Sequence, residues 1–334
     1  MRARDLGIAI GDLEPGRLNA ITDVDGIRVG HTTLIEGDDV RTGVTVIVPG
    51  RLPVFSAPFR LNGNGEVTGL QWMRESGLLT TPIALTNTHS VGAVHEALVA
   101  AALAGDRSTW SLPVVAETWD GVLSDVNGFH VRPEHARAAL DTASAGPVAE
   151  GNVGGGTGMI CHGFKGGIGT ASRVADGAVV GVLVQANHGT RARLTVDGTP
   201  VGRLIGPDRV PLPPRPVPGE GVGSIVVVVT TDAPLLPLQC EALALRAMLG
   251  VARVGGAGES SSGDFALAFS TGPTRHVEPV PIEEMNPLYY AAIEATEEAI
   301  LNAMLAAETM TGRGGNTVHA LDGALLAEIL GTTR

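Results

Sequence analysis

Aromatic residues are scarce in this chain of 334: six Phe, two Tyr and three Trp, 3% in all. The core must therefore come from Val, Ala, Leu and Gly, and the 46 glycines suit strands and helices packed closely in layers. Cysteine is scarcer still. Cys161 and Cys240 form no CxxC or Cys/His metal spacing, so the expectation is two buried thiols in a reducing compartment and no metal site. Positive charge is also short. The 23 basic against 35 acidic side chains leave a net charge of −12, which argues against nucleic acid and anionic membrane surfaces. The same excess mildly favours cationic ligands such as a free amine. No apolar run is long enough to span a bilayer. The opening MRARDLGIAIGDLEPG puts acids and glycines where a signal peptide needs an apolar stretch, so the chain is expected in the cytoplasm.

What remains, 44% hydrophobic and 17% charged, is the composition of a compact globule. Val44–Val48 (VTVIV) reads as a strand stopped by Pro49-Gly50, and Gly92–Leu103 as a helix with a broad apolar face. Pro113–Glu117 and Ala178–Ala186 read as buried strands, and Arg132–Leu140 as a helix. The stretch from Gly206 to Gly223, GPDRVPLPPRPVPGEGVG, holds six prolines and reads as an extended linker. Ser224–Val229 (SIVVVV) follows at once as a buried strand. Leu235–Leu249 reads as a helix with Pro237 in its first turn, and Phe265–Ser270 as a strand. Asn286-Pro287 predicts a cap and first-turn proline for a helix to about Glu308, with a last helix over Ala320–Leu330. Strands and helices mix without steady alternation, which predicts stacked sheets flanked by helices rather than a doubly wound sheet.

Four short segments carry polar groups at strand ends. At Gly223-Ser224 a Pro/Gly-rich segment meets a rigid strand at a Gly-Ser bond. Glycine leaves its carbonyl uncrowded, and a Ser hydroxyl that attacked it would free an α-amine able to act as base for that same hydroxyl. A loop entering a strand explains the same residues. Gly258–Asp264 (GESSSGD) precedes the strand FALAFS, where hydroxyls and a carboxylate can assist a nucleophile or simply form a polar turn. Glu117, Trp119 and Asp120 end the strand PVVAE, and Glu117 suits an ammonium group or a surface turn. In VQANHG, Asn187 can donate to an oxyanion or turn the chain with His188 and Gly189. Gly154–Gly158 (GGGTG) lacks the lysine of a phosphate loop and suits close packing. His89, His95, His130 and His135 show no metal spacing, and no GxSxG elbow is present.

In combination and order, ITDVDGIRVGHTTL, DVRTGVTVIVPG, PVVAETWDG, GVLVQANHG, GSIVVVVTTDAPLLPLQ and SSSGDFALAFSTG resemble the DmpA-type L-aminopeptidase/D-esterases, which include β-peptidyl aminopeptidases. The likeness runs from Ile21 to Gly272. It implies an α+β fold, a four-layer αββα sandwich like the N-terminal-nucleophile hydrolases. It implies one domain over residues 1–334 that cuts itself between Gly223 and Ser224 into chains 1–223 and 224–334, assembled as a homotetramer of such pairs. Ser224 matches the family nucleophile, Ser262 and Asp264 its assisting pair, Asn187 its oxyanion donor, and Glu117 the holder of the substrate's free amine. No metal or organic cofactor is implied. Trp119 stands where members often carry Tyr; its indole N–H only donates, and its bulk reshapes the pocket. His188 likewise stands at a position where Tyr is frequent.

The expected activity is hydrolysis of N-terminal residues from small peptides, amides or esters through an acyl-enzyme on Ser224. An acyltransferase of related architecture is the nearest rival, although such relatives use Thr as nucleophile. A non-catalytic binding protein on the same fold, with Trp119 closing the pocket, is the rival from another class and predicts no turnover of amino-acid amides.

Overall fold

In the computed structural model, residues 1–105, 107–108, 110–214 and 223–333 are described. Two mixed sheets dominate. The smaller has the order β1 (Arg28–Glu36), β2 (Val40–Val48), β5 (Ile83–Asn87), β6 (Val114–Thr118). The larger runs β4 (Leu78–Leu79), β3 (Val54–Arg60), β12 (Gly263–Ser270), β11 (Ser224–Thr231), β10 (Ala178–Asn187), β9 (Gly167–Ala175). Two small hairpins, β7 (Ile160–Cys161) with β8 (Phe164–Lys165) and β13 (Met310–Thr311) with β14 (Thr317–Val318), lie outside these sheets.

Helices α5 (Pro237–Arg253) and α6 (Asn286–Leu305) cover the outer face of the larger sheet. Helices α2 (Val91–Leu103) and α3 (Pro133–Asp141) cover that of the smaller one. The remaining helices α1 (Leu70–Ser76), α4 (Val201–Leu204) and α7 (Gly323–Thr333) pack at the margins. Three apolar layers result. Val94, Leu98 and Ala139 meet Val44 and Val46 in one. Ile47, Leu85, Leu183, Val226, Val228 and Phe269 fill the space between the sheets. Val182, Val184, Ile225, Val227 and Val229 meet Leu243, Ala247, Ala295 and Ala299 in the third. The expected αββα sandwich is therefore present.

The valine run of β11 makes sense in this frame. A strand in the middle of a sheet covered on both faces buries every residue, so alternation disappears and β-branched side chains fill both layers. All eight residues of β11 are buried. Helix α6 is also buried almost all round, between the larger sheet and α5. Its acids Glu294 and Glu298 enter the core paired with Arg173; Glu298 also takes Arg4 and Asn19, and Glu294 the N–H groups of Asp12 and Leu13.

Several boundaries differ from expectation for local reasons. Helix α6 begins at Asn286, with Met285 at the cap position, and stops at Leu305. Beyond it, the side chain of Asn152 bonds both the N–H and the carbonyl of Glu308 and draws the chain off the helix axis. The last helix starts at Gly323 because the carboxylate of Asp322 accepts from the N–H groups of Ala324 and Leu325. The proline-rich segment has neither helix nor strand over residues 206–214 after α4, and residues 215–222 of it lie outside those described. Gly154–Gly156 are buried where a side chain would strike Thr45, Gln185 or Ile168, a packing role as expected. Both cysteines are free and buried. Among the described residues no helix is long and apolar enough to cross a membrane.

Candidate active site

Sheet register brings three distant segments to one row. Asn187, the last residue of β10, lies opposite Ser224, the first of β11, and Ser224 lies opposite Gly263, the first of β12. The Ser224 hydroxyl oxygen accepts from the Gly263 N–H at 3.0 Å. An N–H donor on that oxygen favours negative charge there. Just before it, Gly223 has φ 112°, a conformation that side chains rarely adopt. A Cβ at this position would sit 2.1 Å from the Asn187 carbonyl oxygen.

The GESSSGD turn forms a compact acid–hydroxyl pair. Ser262 Oγ donates to Asp264 Oδ1 at 2.5 Å, and the N–H of Ile225, next to Ser224, donates to the same oxygen. Asn62 Nδ2 donates to Asp264 Oδ2 at 3.0 Å. Burial pushes the Asp264 carboxyl above its usual range, while these three donors pull it back. Ser262 is thus oriented by a carboxylate and keeps lone pairs free to accept a proton.

Asn187 is fixed at both ends of its amide. Its Oδ1 accepts from the Ile160 N–H at 2.7 Å, and its Nδ2 donates to the Trp119 carbonyl at 2.8 Å. The second Nδ2 hydrogen remains for an oxyanion. Glu117 is buried at the end of β6, where one carboxylate oxygen accepts from the Glu66 N–H and the other from the Thr88 hydroxyl. Burial raises its pKa, and the Thr88 hydroxyl and Glu66 N–H oppose the rise.

The structure therefore gathers Ser224, Ser262, Asp264 and Asn187 around one strand end. Glu117 approaches from the other sheet: Gly65, where a Cβ would lie 3.0 Å from Glu117 Oε1 and 3.3 Å from Gly263 Cα, is wedged between them. Trp119 lines an open, mostly apolar cavity of about 690 Å³ together with Ile160, Asn187, Ile205, Leu212 and Gly223. Its ring lies over Gly121. Glu117 is not among the residues lining that cavity. Asp120, beside them in sequence, is fully buried, and burial raises its carboxyl to about 7.

Sequence reasoning passes over the loop that organises this end of the site. Asn62 bonds Asp264, Asn64 bonds the Ser261 carbonyl, and Gly65 admits the approach of Glu117. The available signal is the run NGNG after β3, two Asn-Gly steps that mark a tight, backbone-dominated turn. Also missed is Lys165, the one lysine of the chain, fully buried, whose Nζ donates to the carbonyls of Gly156, Met159 and Gly166 beneath the Ile160 N–H.

The sequence profile of Peptidase family S58 matches residues 19–318. The chain belongs to that family. The β-peptidyl aminopeptidase BapA of Sphingosinicella microcystinivorans is 47% identical over 364 residues, covering 98% of this chain and 91% of its own. A Burkholderia β-aminopeptidase superposes with a TM-score of 0.92 at 52% identity, covering 99% of both chains. The L-aminopeptidase D-Ala-esterase/amidase of Ochrobactrum anthropi, described as a prototype of the serine aminopeptidases and a variant of the Ntn hydrolase fold, superposes at 0.90 with 43% identity, covering 99% of this chain and 98% of its own. Membership of S58 with such relatives makes the chain a hydrolase of aminopeptidase type.

Proposed function

We propose that this S58 chain is a self-processing serine aminopeptidase, a single domain whose residues 1–223 and 224–334 stay associated after cleavage. The observation that carries the reading is the position of Ser224: the first residue of a rigid strand, hydroxyl held by Gly263, preceded by a glycine that no other residue can replace without a clash. In processing, Ser224 Oγ attacks the Gly223 carbonyl, the ester C–O bond forms and the C–N bond breaks. The leaving nitrogen takes the hydroxyl proton, and water then hydrolyses the ester to a Gly223 carboxylate and a free Ser224 α-amine.

In turnover the same oxygen attacks a substrate carbonyl. The α-amine or Ser262, held by Asp264, accepts its proton and returns it to the leaving amine. The free Asn187 Nδ2 hydrogen stabilises the tetrahedral oxyanion, a contribution typically worth about 3 kcal/mol. Glu117 pairs with the substrate's ammonium group and so limits cleavage to the N-terminal residue. Water releases the product from the acyl-enzyme. The substrates are small peptides, amides or esters with a free amine. β-Amino residues, named for the relatives above, belong among those to be tried.

A homotetramer of cleaved pairs is part of the same proposal. Leu238 and Leu249 on α5 and Tyr290 on α6 stay exposed on the outer helical layer, which supports a further partner surface there. The buried free thiols Cys161 and Cys240 fit a cytoplasmic setting.

Intact-mass analysis with N-terminal sequencing tests the proposal. The wild type is expected as two fragments, the second beginning Ser-Ile-Val-Val, and Ser224→Ala as one uncut, inactive chain. A processed Ser224→Ala chain would refute the assignment. Product partition in the presence of an added amine separates hydrolysis from acyl transfer, and a cut chain that turns over no amino-acid amide would favour the binding-protein reading.

A further inference from the structure

Cys161, His162 and His188 come together although no spacing in the sequence pairs them. Cys161 ends β7, His162 turns the hairpin towards β8, and His188 follows Asn187 at the end of β10. The His162 N–H donates to the His188 carbonyl at 2.7 Å, which locks the hairpin against the strand end. One ligating atom from each of the three side chains lies within 4.8 Å of those from the other two, and all three residues are buried.

The polar atoms in this cluster are poorly served by the protein. His162 Nδ1 faces the Thr190 carbonyl at 3.2 Å, an arrangement that makes Nδ1 the donor and leaves Nε2 with its lone pair. Among the described residues His162 Nε2 has no hydrogen-bond partner, and neither has His188 Nε2. His188 Nδ1 lies 3.8 Å from Cys161 Sγ. His162 also holds φ at 49°, unusual for a residue with a side chain. The unused Nε2 of the buried His162 calls for a partner beyond what the fold supplies, while His188 turns its other nitrogen, Nδ1, towards Cys161.

We propose that Cys161, His162 and His188 form a three-ligand site for a zinc-class divalent cation, with water as the fourth ligand, in the wall behind Asn187. A tetrahedral zinc ion puts sulfur and nitrogen ligands about 3.6 Å apart, close to the 3.8 Å between Cys161 Sγ and His188 Nδ1, the nitrogen that would ligate. The ligand atoms of all three side chains lie within 4.8 Å of one another, within reach of small ring rotations. The Thr190 carbonyl then acts as the outer partner that fixes the His162 tautomer. Gly163 and Gly189, which follow the two histidines, line the 690 Å³ cavity.

The protonation states agree with this chemistry. Burial lowers the pKa of His162 to about 4 and of His188 well below its ordinary value, so both rings are neutral, the form that binds metal. Burial pushes the Cys161 thiol up to about 12, with Lys165 pulling it down.

The test is titration of chelator-treated full-length protein with Co²⁺. The expected result is one equivalent bound, with a thiolate-to-cobalt charge-transfer band, tetrahedral visible absorption, and bleaching by Zn²⁺. Cys161→Ala abolishes the charge-transfer band, and His162→Gln weakens binding by at least about 100-fold, the upper end of what outer-shell changes alone cost. Cys240→Ala, which alters the other buried thiol, leaves the spectrum unchanged. Thermal melting of each variant without metal establishes that it is folded. The proposal is overturned if the wild type shows no thiolate band at one equivalent, if folded Cys161→Ala or His162→Gln binds as tightly as wild type, or if Cys240→Ala alone removes the band.

Discussion

A Gly223→Ala substitution adds one methyl group at the bond before Ser224. That carbon would lie 2.1 Å from the Asn187 carbonyl oxygen and 3.1 Å from the His188 Cα, both backbone atoms. An ordinary carbon–oxygen contact is about 3.3 Å, so the overlap is roughly 1.2 Å. Neither atom swings away as a side-chain tip would, because Asn187 is paired with Ser224 in the sheet. The φ of 112° adds strain of about 1–3 kcal/mol for any residue with a Cβ. The chain must therefore move by about 1 Å at the bond to be cut, where attack demands a separation of about 3–3.5 Å, and a shift of that size costs roughly 100-fold in rate. Self-cleavage of Gly223→Ala should be slower than wild type by about that factor or more. The assay is the fraction of uncut chain against time after synthesis, read by denaturing gel and intact mass. Gly177→Ala separates strain from clash: its φ is 83°, but a Cβ there meets nothing within 4 Å. It should cost some stability and be processed normally. A Gly223→Ala chain cut at the wild-type rate would refute the argument that this glycine positions the bond.

Three further outcomes follow from the site. Asn62→Ala removes a donor to the charged form of Asp264, whose carboxyl burial already raises; the acid limb of kcat/KM against pH should move further up, and an unmoved limb would separate Asp264 from the chemistry. Glu117→Gln keeps the shape but loses the charge that meets the substrate ammonium. The expected loss in kcat/KM for an amino-acid amide is roughly 10- to 100-fold, with little effect on an analogue lacking the amine, and an equal loss for both would remove the recognition role. Lys165→Met deletes three buried hydrogen bonds to the carbonyls of Gly156, Met159 and Gly166. At about 1 kcal/mol each, unfolding stability should fall by roughly 3 kcal/mol, read from the denaturant midpoint, and an unchanged midpoint would show that the amine does not hold this loop.

Sequence alone determined the parts whose physics is local. The β-branched runs VTVIV and SIVVVV could only be buried strands, Pro237 in a first turn announced α5, and the prolines after α4 ruled helix and central strand out of residues 206–214. The chemical character of Ser224, Ser262, Asp264, Asn187 and Glu117 was legible from polar residues at strand ends, but only in combination, since each segment alone also reads as a turn. The tertiary structure decided which of these ends meet. Ser224 lies between Asn187 and Gly263 because β11 pairs antiparallel with one strand and parallel with another, 39 residues further on in register. Such pairing depends on contacts across the sheet, which no local pattern encodes. It also placed the NGNG loop against Asp264, set Trp119 in the cavity wall with Asn187, and brought Cys161 to His188. Strands specify their own burial; the packing of two sheets and their helices specifies the neighbours.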